Sequence, residues 1–264
     1  MCRLLGYLGE EIVLDYLLCK PENSLIEQSY QPREMTAGLL NADGFGIGWY
    51  HPQKDIEPFT YRNILPIWND VNLPNLSRYI ESNCIVATVR SATLGQPVDL
   101  SNCQPFNHQG LLFSHNGFIQ KFRESLYRPI RNQLKDEIYQ GINGTTDSEH
   151  IFALIINELQ ANTGISLEKA LHKTLINLKN LAQEYQVEFA ANLVLSDGKR
   201  LVACRCATRS PVPSLYWLRD DPTFPNAVII ASEPLFAGDW NSFAENSIIS
   251  VGENLEIEID RIYN

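Results

Sequence analysis

The order of apolar patterns along this 264-residue chain restricts its fold more than any other feature. Runs typical of strands, with two short helical segments among them, precede residue 120. Two longer helical patterns follow, and strand patterns return after Gln186. A parallel βαβ sheet would alternate strands and helices, so the grouping predicts an α+β class with a layered architecture. Because no linker or repeat interrupts the pattern, we expect one domain over residues 1–264.

Hydrophobic period and turn residues predict the individual elements. Strands are predicted at 2–9, within 38–51, and at 84–92, 110–119, 189–196, 199–208, 214–220, 226–235 and 247–260. Helices are predicted at 24–30 and 75–82, from a cap at Asp147 or Ser148, and after Ser166. Gly44, Gly46 and Gly48 recur at every second position, which predicts close backbone approach on one face of a sheet.

Composition excludes several classes of function. The formal net charge is −10 and no basic cluster is present, although phosphate binding needs concentrated Lys and Arg. No apolar run approaches the ~20 residues of a membrane helix. Six cysteines, at positions 2, 19, 84, 103, 204 and 206, form no C-x-x-C pair, and free thiols suit a reducing compartment. We therefore expect a cytoplasmic protein that binds neither nucleic acid nor membranes.

Neither the cysteines nor the five histidines form a metal-binding pattern. Cys204 and Cys206 point to the same face of a predicted strand, and small buried side chains explain this spacing better than a metal does. His115 and His150 flank the candidate residues described next, and we expect both to be hydrogen-bonded structural residues. We expect no metal and no organic cofactor.

Cys2 directly follows the initiator methionine. Methionine aminopeptidases act when the second residue is small, so Cys2 is expected to begin the mature chain. Its α-amino group, with a pKa of about 7.7–8.0, would then act as the base for its own thiol. Alone this feature is weak, because an accidental cysteine at the second position has the same geometry.

Three further segments offer matching chemistry. Asn116 and Gly117 supply a side-chain amide and a backbone N–H that suit an oxyanion, although Asn-Gly is also a common turn. Arg90, with Thr93 nearby, suits a carboxylate, although a structural ion pair would also explain it. Asp147 suits an ammonium group, although an ordinary helix cap fits the same position.

Together these residues describe one ligand. Arg90 would bind a free α-carboxylate and Asp147 a free α-ammonium group. Cys2 would attack an amide carbonyl whose oxygen Asn116 and Gly117 hold. Glutamine or another γ-glutamyl amide carries all three groups.

Ordered motifs extend this interpretation. MCRLLGYLG, NADGFGIGW, VRSATLG, SHNGFI, TDSEH and ASEPL, from Cys2 to about Leu235, resemble the class II glutamine amidotransferases. The resemblance implies an N-terminal nucleophile hydrolase with a four-layer αββα fold. The residues it implies are the nucleophile Cys2, the oxyanion donors Asn116 and Gly117, the carboxylate ligands Arg90 and Thr93, and the amine ligand Asp147 with the backbone near Gly117.

Within that class the chain resembles the stand-alone γ-glutamyl amidohydrolases of ergothioneine biosynthesis, through QSYQPREM, PIWND and VRSATLGQPVD. That family removes glutamate from γ-glutamyl-hercynylcysteine S-oxide, so we expect hydrolysis of a small γ-glutamyl conjugate. Two alternatives remain. One is an ammonia-supplying glutaminase subunit with a separate synthase partner, and the other is a non-catalytic γ-glutamyl binder.

Two expectations concern the leaving-group side of the site. Residues 120–146 are interpreted as a variant insertion that shapes the leaving-group pocket. Four aromatic side chains could form a wall for an imidazole-bearing leaving group, although core packing is expected for at least two of them. They are Phe45, Trp49, Tyr50 and Trp68.

Overall fold

The structure is a computed structural model that describes residues 2–35, 38–51, 53, 55–93 and 95–263, without the side chain of Ile56. The predicted removal of Met1 lies outside the described residues. Within them, no helix is both long enough and apolar enough to cross a bilayer.

The described elements group as the sequence predicts. The strands are β1 (Arg3–Val13), β2 (Phe45–His51), β3 (Asp55–Asn63), β4 (Glu81–Val89), β5 (Phe106–His108), β6 (Leu111–Ile119), β7 (Phe189–Ser196), β8 (Leu201–Ala207), β9 (Tyr216–Asp221), β10 (Phe224–Ala231), β11 (Asn241–Ser242), β12 (Ser247–Val251) and β13 (Ile257–Arg261). The helices are α1 (Asp15–Leu18), α2 (Leu25–Tyr30), α3 (Leu73–Leu76), α4 (Tyr127–Arg131), α5 (Asp136–Gln140), α6 (Asp147–Ala161) and α7 (Leu167–Glu184).

Two antiparallel sheets form the centre of the fold. Their spatial orders are β11-β9-β10-β1-β4-β2-β3 and β13-β12-β8-β7-β6-β5. Alternate side chains of each strand enter different apolar layers, because successive residues point to opposite faces. Leu5 packs with α1 and α2 on the outside of the first sheet, whereas Leu4 packs between the sheets.

A third apolar layer lies between the second sheet and helices α4 to α7. Phe113 of β6 stacks on Phe152 of α6 in this layer, with ring centroids 5.0 Å apart. The order of layers is therefore helices, sheet, sheet, helices. This confirms the αββα architecture that the resemblance implies.

Glycines allow the two sheets to approach each other. A Cβ atom at Gly46 would overlap the carbonyl oxygen of Gln104, and one at Gly48 would lie 2.7 Å from a Leu112 methyl group. Both contacts join β2 to segments of the second sheet. The predicted close approach is confirmed.

Some predicted elements differ from the structure. The helix predicted at 75–82 is wrong, because α3 ends at Leu76 and Ile80 accepts a backbone hydrogen bond from Leu14 before β4 begins. The cap of α6 is Thr146, rather than Asp147 or Ser148, because its hydroxyl accepts the Glu149 N–H at 3.2 Å. Strand β3, which pairs with β2, was not predicted.

Residues 120–146, interpreted as a variant insertion, form α4, α5 and their connections. Ile130 and Ile138 pack in the outer apolar layer. The segment also lines a cavity of about 240 Å³, together with Arg62 and Glu149. None of the predicted catalytic residues lines this cavity, so its use by a leaving group stays a prediction.

Candidate active site

Cys2 and Arg90 meet at one end of the first sheet. Strands β1 and β4 pair with Arg3 opposite Val89, so the next residues outward along the two strands are Cys2 and Arg90. Cys2 is half-buried, and its Sγ lies 3.7 Å from the carbonyl oxygen of Ser91. The strand register therefore brings the predicted nucleophile beside the predicted carboxylate ligand.

The second sheet contributes Asn116 to the same end. Thr88 of β4 donates a 2.7 Å hydrogen bond to Ser114 of β6, which fixes these strands at one level. Two residues further along each strand, on the same faces, lie Arg90 and Asn116. Asn116 pairs directly with Asn192 of β7.

Asn116 lies inside a strand rather than in a turn, so the turn alternative is wrong. Its side chain is fully buried between the sheets. Both its Oδ1 and its Nδ2 lack a hydrogen-bond partner among the described residues. Buried amides are nearly always hydrogen-bonded in folded proteins, so this one is free to bind a ligand.

The backbone of Gly117 faces the open edge of β6. Along an antiparallel strand, alternate residues direct their N–H and C=O groups to the same side. On that side the Gln104 side chain bonds both backbone groups of His115, and Asp147 Oδ2 accepts the Ile119 N–H at 2.7 Å. The Gly117 N–H lies between these bonded positions and beyond the end of β5. It is therefore directed at a ligand space.

Arg90 is buried, with 3% of its surface exposed, and makes no ion pair within the described chain. Its Nη1 and Nη2 donate to the carbonyl oxygens of Asp43 and Pro97 at 3.2 and 3.3 Å. A structural ion pair therefore does not explain this residue. A buried guanidinium without a carboxylate is suited to an anionic ligand.

Asp147 and Thr93 are less directly placed. Asp147 is buried, and besides Ile119 it accepts the Ser148 N–H at 2.8 Å through Oδ1. Its carboxylate thus anchors the end of β6 to α6. Thr93 is exposed, and its carbonyl oxygen accepts the Gln96 N–H in a turn. Contact of either residue with a ligand stays a prediction.

The two histidines near the site are structural, as expected. His115 Nε2 faces the Ala190 carbonyl at 3.1 Å and Nδ1 faces the Ser148 hydroxyl at 2.9 Å. A carbonyl can only accept, so Nε2 carries the proton and Nδ1 accepts from Ser148. Burial lowers the pKa of His115 despite the nearby charge of Asp147, which keeps the ring neutral.

Five of the six cysteines are poor nucleophiles. Burial is the main cause that raises each thiol pKa: to about 11 for Cys19 and Cys206, to about 12 for Cys84, and in direction also for Cys103 and Cys204. All six are free thiols. Cys204 and Cys206 are small buried side chains, as interpreted, and no cluster suited to a metal occurs in the described chain.

The aromatic residues do not form one wall. Phe45 and Tyr50 are buried in different apolar layers, on opposite faces of β2. Trp49 packs on Phe59, and Trp68 contacts Tyr30 from the surface. The predicted aromatic wall is wrong because successive side chains of a strand point to opposite faces of the sheet.

Sequence reasoning missed a buried network behind the nucleophile. Glu233 accepts a 2.8 Å bond from Arg3 Nε, and Arg3 Nη1 donates to the Cys2 carbonyl at 3.0 Å. The same carboxylate accepts the backbone N–H groups of Arg33 and Glu34 at 2.8 and 3.0 Å. The motif ASEPL contained this glutamate, but a charge next to proline gives no sign of its partner 230 residues away.

Comparison with known proteins assigns a family. A family model for glutamine amidotransferases class-II matches residues 1–233. The chain is 30% identical to the probable glutamine amidotransferase DUG3 of Saccharomyces cerevisiae, over 95% of this chain and 82% of that protein. It is 28% identical to the γ-glutamyl-hercynylcysteine sulfoxide hydrolase of Mycolicibacterium smegmatis, over 95% and 96% of the two chains.

A solved structure agrees on the fold. A glutamine aminotransferase class-II domain protein from Silicibacter pomeroyi superposes with a TM-score of 0.71 over the whole of both chains, at 22% identity. At this identity the likeness concerns the fold alone.

Proposed function

The chain belongs to the class II glutamine amidotransferases, and from this premise we propose that it hydrolyses a γ-glutamyl amide through Cys2. One observation carries the proposal. In the part of the chain that the structure describes, neither amide atom of the fully buried Asn116 has a partner, and the residue lies at the end of the sheets where Cys2 directly precedes β1. Arg90 is buried and makes no ion pair with the described residues, which supports a ligand with a free carboxylate.

The residues act in a definite order. The α-amine of Cys2, free once Met1 is removed, takes the thiol proton, and the thiolate adds to the γ-carbonyl carbon. Asn116 Nδ2 and the Gly117 N–H hold the oxyanion. The tetrahedral intermediate collapses, the C–N bond breaks and the ammonium group protonates the leaving nitrogen.

The second half-reaction regenerates the thiol. Water adds to the γ-glutamyl thioester while the Cys2 amine takes a proton from it. The C–S bond then breaks and glutamate leaves with its γ-carboxylate restored. Throughout, Arg90 with Thr93 binds the α-carboxylate, and Asp147 with the Gly117 carbonyl binds the α-ammonium group.

For the substrate we propose a small conjugate such as γ-glutamyl-hercynylcysteine S-oxide. The name of the mycobacterial relative, which matches over nearly the full length of both chains, supports this choice. We also propose that residues 1–264 form one domain working in the cytoplasm, as the free thiols suggest.

Mass spectrometry with a diazo-ketone analogue of glutamine tests the nucleophile. We expect the purified chain to lack Met1 and to gain one adduct on Cys2, and the Cys2→Ala variant to gain none. Cys19→Ala is the matched control, because that half-buried thiol has a raised pKa and should not react. An adduct on another residue, or full hydrolysis by Cys2→Ala, contradicts the proposal that Cys2 is the nucleophile.

A second candidate is a glutaminase subunit that passes ammonia to a separate synthase. The name of the yeast relative, a probable glutamine amidotransferase, favours it. Steady-state rates with glutamine and with γ-glutamyl conjugates separate the two. Fast conjugate hydrolysis by the isolated chain supports our proposal, whereas glutamine hydrolysis that needs an added partner supports the second candidate.

A further inference from the structure

Asn192 is a buried polar residue that the mechanism above does not use. It lies in β7, where all eight residues are buried. Its Nδ2 donates to the carbonyl oxygens of Pro213 and Ser214 at 3.1 and 2.9 Å. Its Oδ1 has no partner among the described residues. The two donations fix the orientation of the amide, so Oδ1 is present as a hydrogen-bond acceptor and cannot exchange places with Nδ2.

Asn192 lies opposite the start of β1. A Cβ atom at Gly6 of β1 would lie 3.0 Å from a methyl group of Val194, which is two residues from Asn192 in β7. Asn192 pairs with Asn116, and both side chains point between the sheets. The segment it binds continues to the same place, since the Ser214 hydroxyl donates to the Ser232 carbonyl and the Ser232 hydroxyl accepts the Leu4 N–H. Leu4 is two residues from Cys2. These bonds place the Asn192 side chain near the start of β1 and so near the mature N-terminus.

Charged groups of both signs surround that region. Those on the first sheet and its loops are Arg3, Arg90, Asp43, Asp99 and Glu233, and β8 contributes Arg205. The Cys2 and Cys103 thiols lie near it too. Glu233 is bound to Arg3, and the Asp43 carboxylate accepts the Ala92 N–H. Among the described residues, the buried Asn192 Oδ1 is an acceptor without a partner, so it is available to an ammonium group here.

We propose that Asn192 is a positioning residue whose Oδ1 accepts a hydrogen bond from the α-ammonium group of Cys2. This inference rests on the proposed function, because it requires the amine that removal of Met1 creates. Asn192 holds the amine toward the thiol and the leaving nitrogen, and it favours the protonated form that donates to the leaving group. Asn116 stays available to the oxyanion.

The ionisation of the amine tests this directly. The chain is labelled with carbon-13 cysteine and followed by NMR. The Cα chemical shift of Cys2 reports the titration of its amine, and the signal is assigned because it is missing from the Cys2→Ser variant. Asn192→Ala removes the acceptor, and we expect the titration midpoint to fall by about one pH unit. Asn192→Asp supplies a charged acceptor, and we expect the midpoint to rise by about one unit or more. The acid limb of kcat/KM should move with each midpoint.

Ser214→Ala is the control, since it removes the bond to Ser232 and leaves Asn192 in place. We expect no change of the midpoint in this variant. The inference is wrong if the titration midpoint of the amine moves in the same direction in both Asn192 variants, or in neither. If one variant fails to fold, the midpoint of the other decides by itself. If the amine titration shifts as expected in both variants but the unmodified chain hydrolyses no γ-glutamyl amide, the proposed function is wrong. The hydrogen bond between Asn192 and the amine would still be supported.

Discussion

Three buried asparagines show how one side chain serves different purposes at the same end of the molecule. Asn102 is hydrogen-bonded at both amide atoms, to Pro97 and to the Thr145 N–H. Among the described residues, Asn192 has partners only at Nδ2, and Asn116 has none at either amide atom. For these three residues, the number of hydrogen bonds that the side-chain amide makes within the described chain distinguishes a structural role from a ligand-binding role.

Asn116→Ala should impair chemistry without impairing the fold. Loss of one oxyanion donor should lower kcat about 100- to 1,000-fold, with little change in KM. Because neither amide atom has a partner, the free energy of unfolding should change by less than about 1 kcal/mol. Steady-state kinetics and urea unfolding measure the two effects.

Asn102→Ala is the matched comparison and should behave in the opposite way. It leaves the Thr145 N–H without its partner, and the Pro97 carbonyl keeps only the bond from Arg90, so we expect a loss of about 1–3 kcal/mol in stability. If Asn116→Ala destabilised the chain as much as Asn102→Ala, the amide of Asn116 would have a structural partner and the oxyanion role would be wrong.

At the scale of single elements, β6 joins the oxyanion residues to the helical layer. Its alternation sends Asn116 between the sheets and His115 toward Ser148 of α6. The Asp147 carboxylate and the Gln104 side chain take the place of a neighbouring strand along its open edge. Gly117 remains uncovered between them because β5 is only three residues long.

Gly117→Ala should disrupt this strand. A Cβ atom there would overlap the Ala190 carbonyl and the His115 ring. The Ala190 carbonyl belongs to the backbone of β7 and cannot move without the strand. We expect a loss of about 1–3 kcal/mol or more in the free energy of unfolding, measured by urea titration. Gly141→Ala is the control, since its nearest contact would be 3.4 Å and it should change stability little.

The start of α6 should make the fold sensitive to acid. His150 Nδ1 donates to the Thr146 carbonyl at 2.7 Å, and burial lowers the pKa of the ring to about 4. Above its unfolded pKa of about 6.5 the ring is neutral in both states. As the pH falls from there to about 4, the unfolded chain binds the proton first, so about 3 kcal/mol of stability is lost.

His150→Phe keeps a ring between Phe122 and Tyr127 and removes the titration. We expect its free energy of unfolding, measured by urea titration from pH 7 to pH 4, to fall less steeply than that of the unmodified chain. Equal slopes for the two proteins would mean that His150 is protonated in the folded state.

At the scale of the whole molecule, the site exists only where the two sheets and the helical layer of α6 meet. Cys2 directly precedes β1, β4 leads to Arg90, β6 provides Asn116 and α6 begins at Asp147. The Arg3–Glu233 pair joins β1 to the end of β10 and to the loop at Arg33 and Glu34. One buried carboxylate therefore fixes three distant parts of the chain behind the nucleophile.

Glu233→Ala should destabilise the entire fold. It leaves the Arg3 guanidinium buried without its carboxylate, and we expect a loss of about 3–5 kcal/mol in the free energy of unfolding. Glu22→Ala removes the exposed pair between Glu22 and Arg33 and should change stability by less than about 0.5 kcal/mol. Thermal and urea unfolding of both variants provide the test, and equal losses would contradict this account of the network.

The sequence by itself determined the layered class, the long helices α6 and α7, most strands, and the residue types needed for a γ-glutamyl ligand. These depend on hydrophobic period and on local chemistry, which are readable in short windows. The helix predicted at 75–82 failed because the partner of this segment, Leu14, is distant in the chain.

Only the tertiary structure decided which polar residues are free. Asn116 as a turn and Arg90 in an ion pair were both reasonable from sequence, and burial without a partner removed both alternatives. The free Oδ1 of Asn192 became visible in the same way, and the buried Glu233 through its bonds to Arg3, Arg33 and Glu34. The physical reason is that hydrogen-bond satisfaction depends on neighbours contributed by other strands, and no short stretch of sequence contains them.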